Sequence, residues 1–111
     1  NGLVLDNATI TATGNSTATD NTSSTANGGA GIAIVTTVSG TSTPTATIKI
    51  QHSSDDSTYV DLVTFTNFTA VGSQVSEVAS GTTINRYLRV NYTITGTNPS
   101  FACIVGFGRV G

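Results

Sequence analysis

Chemistry in a protein is done by ionisable and nucleophilic side chains, and this chain of 111 residues has few: four Lys and Arg, six Asp and Glu, one His and one Cys. They crowd together only around His52, Asp55, Asp56 and Asp61. A loop rich in oxygen ligands suits a hard cation such as Ca²⁺. However, Ser53-Ser54-Asp55-Asp56-Ser57 lacks the alternate-residue spacing of a calcium loop, and no Glu follows to serve as a bidentate ligand. Asp and Ser at these positions fit a hairpin turn whose backbone they cap with their own side chains. Cys103 and His52 have the types of a nucleophile and its base, but Cys103 alternates with Phe101 and Val105, which marks it as a small buried hydrophobe. One Cys and one His make a poor zinc site, and a single Cys forms no internal disulfide. No metal, cofactor or catalytic residue is therefore expected, and the chain does not read as an enzyme.

The remaining chemistry is that of contact. Arg86, Arg89 and Arg109, three of the four cations, fall in the last quarter of the chain. Gathered on one surface, their guanidinium forks would accept carboxylates of a partner protein, whereas dispersed they would serve only solubility. Tyr87 falls on the polar side of its segment beside Arg89, which makes it a fourth candidate contact residue. Tyr59, Phe68 and Tyr87 are also the material for a sugar-stacking platform, although the chain has no Trp.

Strands must position these residues. The 22 threonines and the abundant Val and Ile lose rotamer freedom in helices and pack well on a pleated sheet. No segment repeats apolar residues at helical spacing over three turns. Residues 86–95 alternate cleanly, with Leu88, Val90, Tyr92 and Ile94 on one side and Tyr87, Arg89, Asn91 and Thr93 on the other. Residues 45–51 place Ala46, Ile48 and Ile50 together, and residues 101–110 do the same for Phe101, Cys103, Val105 and Phe107. Residues 59–66 alternate without declaring which side is inward. Residues 32–38 are almost continuously apolar, as in a central strand, which puts Ile32, Ile34, Val35 and Val38 in the expected core. Residues 3–13 and 74–79 are weaker strand candidates. Turns are expected at 40–44, 53–57, 79–81 and 96–99. The whole reads as one all-β domain over residues 1–111, an antiparallel β-sandwich of about seven or eight strands with jelly-roll or immunoglobulin-like order. Residues 14–31 lack apolar anchors and read as a polar loop, or as an arm ordered by a partner.

Bulk properties narrow the function further. Charged residues are 9% of the chain and the formal net charge is −2. Four cations do not make a phosphate-binding stripe, which argues against nucleic acid as a partner. No apolar run reaches the length of a membrane-spanning helix, and no basic-then-apolar signal segment opens the chain, so no membrane partner is expected. Five Asn-X-Ser/Thr sequons, at Asn7, Asn15, Asn21, Asn67 and Asn91, read as chance in a chain this rich in Asn, Ser and Thr.

Residues 32–110 carry a longer pattern: Ser39-Gly-Thr-Ser-Thr-Pro44, Ala46-Thr-Ile-Lys-Ile-Gln-His-Ser53, Asp55-Asp-Ser-Thr-Tyr59, Arg86-Tyr-Leu-Arg-Val90, Gly96-Thr-Asn-Pro-Ser-Phe101 and Gly106-Phe-Gly-Arg109. It resembles a type of small β-sandwich protein found in virions of tailed bacteriophages, with Asp56-Ser57 where Asp-Gly is commoner. The resemblance implies a structural role as a capsid decoration (cement) protein, head fibre or tail component. The expectation is a protein on the capsid surface that binds the major capsid protein and itself, as a homo-oligomer with a trimer suited to a three-fold site. A tail or fibre module and a carbohydrate-binding adhesin domain are the alternatives. Low charge would make such adhesion insensitive to salt.

Overall fold

The computed structural model describes residues 2–21 and 23–109. Its elements are β1 (Gly2–Ile10), β2 (Gly14–Asn15), β3 (Thr19–Asp20), β4 (Gly29–Ser53), β5 (Val60–Thr64), β6 (Gly72–Val78) and β7 (Tyr87–Arg109), and no helix occurs among the described residues. All pairings are antiparallel. The protein is an all-β antiparallel structure, as the β-branched composition predicts.

Two strands organise everything. β4 and β7 pair with each other from Gly29↔Arg109 through Ser53↔Tyr87. A flat strand as long as the 25-residue β4 would reach about 80 Å, yet the molecule measures 41 × 25 × 17 Å. The ribbon must therefore double back. It does so where the sequence suggested separate turns: the register shifts between Ser39 and Thr41 and between Thr41 and Thr45. The expected turns at 40–44 and 96–99 are thus bends within two continuous strands. Gly40 (φ 122°) and Gly96 (φ 111°) allow the bend, because a Cβ on Gly40 would lie 2.9 Å from the Asn98 carbonyl oxygen and one on Gly96 2.9 Å from Pro44 Cα. Pro44, which has no N–H to donate, occupies the bulged stretch where none is needed.

Each half of the ribbon gains a strand on either side. In the first half the order is β1, β7 (101–109), β4 (29–38), β6. In the second it is β2 with β3, β7 (87–95), β4 (45–53), β5. These pairings place all seven strands in one antiparallel sheet. The halves touch across the fold. Ile50 Cδ1 of the second half lies 2.9 Å from where a Cβ on Gly31 of the first would be, and the Tyr92 hydroxyl donates to Asp6 Oδ2 at 2.6 Å.

The core lies between the halves, with Ile48, Ile50, Val90 and Tyr92 from one and Ala33, Val35, Phe101 and Val105 from the other. Phe68, Ile84 and Leu5, from outside the regular alternation, complete it. One expectation is corrected here and one open reading is resolved. Ile32 and Ile34 belong to the outer side of the first half, because Gly31, Ala33 and Val35 take the inward positions, and Ile32 is 37% exposed. The side that residues 59–66 bury is that of Val63 and Phe65, because a register shift opposite Ile50 and Gln51 lets Asp61 and Val63 face opposite ways. The polar stretch 14–31 runs along its own chain: β2 and β3 pair with β7, and Thr25 pairs with Ile84.

Candidate functional site

The pleat of β7 sends Leu88, Val90 and Tyr92 inward, so Tyr87, Arg89 and Asn91 face out from the second half. Cross-strand partners there form a polar ladder. Arg89 Nε donates to Gln51 Oε1 at 2.9 Å, and Gln51 Nε2 donates to Asp61 Oδ1 at 2.9 Å. Lys49 Nζ meets Asp61 Oδ2 at 3.1 Å. These donors, Gln51 first and then Lys49, hold the Asp61 carboxyl below the usual carboxylate range. The guanidinium of Arg89 lies 4.0 Å above the centre of the Tyr59 ring. Burial and the Asp56 carboxylate, to which its hydroxyl donates, push Tyr59 up to about 12.

Arg86 extends this surface toward β3. Its Nε and Nη2 donate to the two Asp20 carboxylate oxygens at 2.6 and 2.8 Å, a bidentate pair, and its guanidinium lies 4.9 Å from the Tyr87 ring centre. Arg86, Tyr87 and Arg89 therefore share one surface, as the alternation of residues 86–95 suggested for Tyr87 and Arg89.

Arg109 is elsewhere. It ends β7, is 5% exposed, and donates to the Ile84 carbonyl at 3.1 Å, the Asn85 carbonyl at 2.9 Å and Thr25 Oγ1 at 3.3 Å. It lies beneath the surface, where it ties the 84–85 segment and the 14–31 stretch to the sheet. His52 belongs to the same cluster. Its Nδ1 accepts the Asn85 N–H at 3.0 Å, and burial, then the charge of Arg109, lowers its proton affinity.

The Asp-rich turn is self-contained. Asp55 Oδ1 accepts from Ser57 N–H at 3.0 Å, Thr58 N–H at 3.1 Å and the Ser53 hydroxyl at 2.8 Å. The Thr58 N–H leads in holding this carboxyl below its ordinary value. Among the described residues no group of three or more His, Cys, Asp and Glu gathers to hold a metal ion. Cys103 is buried, and burial pushes its thiol up to about 11.

Sequence reasoning missed Lys49, Gln51 and Asp61 as members of the ladder and Asp20 as the partner of Arg86. Gln51 and Arg89 each alternate outward on their own strand, but only the long-range pairing Gln51↔Arg89 puts them side by side. The aromatic platform is differently placed from the one imagined: Tyr59 and Tyr87 each have an arginine against the ring, and Phe68 is in the core. No family model, curated protein or solved structure matches the chain.

Proposed function

We propose that this protein is a structural component of a phage virion that decorates the capsid shell by binding the major capsid protein. The observation that carries the reading is the polar ladder on the second half. Long side chains such as Arg and Lys ordinarily lose rotamer freedom when they dock, at a cost of about 0.5–1.5 kcal/mol each. Here the Gln51 and Asp20 contacts and the two tyrosine rings already hold Arg89 and Arg86 in place. A pre-ordered surface suits repeated attachment to a symmetric shell. The resemblance of residues 32–110 to virion β-sandwich proteins supports the same reading, and so does the placement of the acidic turn, which is occupied with its own backbone.

The test is co-sedimentation of the purified protein with empty shells assembled from major capsid protein. Saturable binding is expected, and Arg89→Glu should weaken it at least about tenfold, equivalent to about 1.4 kcal/mol, while its melting curve confirms that it folds. Failure of the wild-type protein to sediment with shells overturns the proposal.

A further inference from the structure

The outer side of the first half differs from the ladder. Paired positions across it run Val4, Gly106, Ile32, Val75 in one row and Gly2, Gly108, Ala30, Glu77 in the next. Val4 is 61% exposed and Val75 66%. Glu77 is the one charged residue among those described on this side, and Lys49, Arg86 and Arg89 all lie on the other half. Ile32 and Val75 are neighbours in the first row, with Val4 across Gly106 from them, and exposed apolar side chains grouped on one side of a sheet mark a surface that is covered by something.

We propose that a second copy of this chain covers it, in a two-fold dimer packed face to face through the first halves. The surface is complementary to itself when the dyad runs parallel to the strands. Strand order then reverses across the interface, so Val4 of one copy faces Val75 of the other. Ile32, which projects, faces Gly106, which has no side chain. The row with the only charge also resolves itself, since each Glu77 falls over the Gly2 edge of the other copy at the rim and the two carboxylates stay apart. Contact of residue i with j and of j with i is the signature of an isologous interface, and it closes at two copies where a three-fold site had suggested a trimer.

The size is adequate. Six rows about 3.3 Å apart cross all four strands, about 4.8 Å apart, and three more cross three of them, which gives a surface of about 500 Å² per copy. Two copies bury about 1,000 Å², before side-chain relief is counted, which reaches the lower bound for a specific interface. The low charge removes the desolvation cost that would otherwise oppose it.

Light scattering after size exclusion, at high micromolar concentration and without shells, tests this independently of the decoration reading. The expected mass is twice the 11.2 kDa of the chain. Val75→Lys, on an exposed position of β6, should return the mass to one chain, while Thr93→Lys on the outer side of the second half should leave the dimer intact; circular dichroism melting verifies that both variants fold. A wild-type monomer, a wild-type trimer, or a Val75→Lys protein that folds and remains dimeric would each overturn the proposal.

Discussion

The doubling of the β4–β7 ribbon makes a quantitative demand on one glycine. Gly31 is in the first half, and a methyl group added there would lie 2.9 Å from Ile50 Cδ1 of the second half and 3.4 Å from the Phe65 and Phe107 rings. Ordinary carbon contacts are about 3.5–4.0 Å, so Gly31→Ala forces Ile50 aside. Overpacking of this kind costs about 1–3 kcal/mol. Loss of glycine's freedom in the unfolded chain returns about 0.4–1 kcal/mol, which leaves a net destabilisation of about 1–2 kcal/mol. Ile50→Val removes the very atom that obstructs, and alone costs about 0.5–1.5 kcal/mol. In the double variant the new methyl occupies the space the Cδ1 left, so its loss should fall short of the sum of the singles by at least about 1 kcal/mol. Urea titrations followed by far-ultraviolet circular dichroism measure all four proteins. Additivity to within about 0.3–0.5 kcal/mol would mean that Gly31 and Ile50 are not in contact, and the face-to-face closure of the two halves would be refuted.

Three other outcomes follow from the buried polar groups. Arg109→Lys should cost about 1–3 kcal/mol, because a single ammonium cannot span the Ile84 and Asn85 carbonyls that the guanidinium fork reaches; a urea midpoint equal to wild type would contradict that role. His52 has a folded proton affinity below its ordinary pKa of 6.5. Between those two values the unfolded chain takes up a proton that the folded one refuses, so stability is full above 6.5 and falls as pH drops through that window. His52→Asn, whose amide oxygen can accept the Asn85 N–H, should flatten the urea midpoint across that range, and an unchanged slope would assign the effect to other groups. Cys103 should resist a bulky thiol reagent in the native protein and react promptly in urea, since its thiol is buried and pushed up to about 11; rapid native labelling would show that the core opens there.

Where one side of a strand meets the core and the other meets water, the period of two made the structure readable. Leu88, Val90 and Tyr92 point inward as the alternation requires, and so do Ala46, Ile48 and Ile50. Residues 32–38 resisted the same reading because both sides are apolar, one for the core and the other for the exposed row that includes Ile32. The bends at 40–44 and 96–99 look like turns between strands in the sequence, because Gly and Pro announce a departure from regular geometry without specifying its direction. The position of Arg109 in the last quarter of the chain groups it with Arg86 and Arg89 in a reading of the sequence; the carbonyls that make its burial tolerable come from residues 84 and 85, and no local pattern connects them. The contact surface was half legible: alternation put Tyr87 with Arg89, while Gln51, Asp61 and Asp20 joined them only through pairings distant in sequence.

The two long strands also decide how the molecule comes apart. Because β4 and β7 each pass through both halves, neither half owns a complete set of strands. Pulling β1 or β6 away frays an edge, but separating β4 from β7 anywhere strips hydrogen bonds from the backbone that the other half is built on. Beyond fraying of the edge strands, loss of structure is therefore cooperative across both halves.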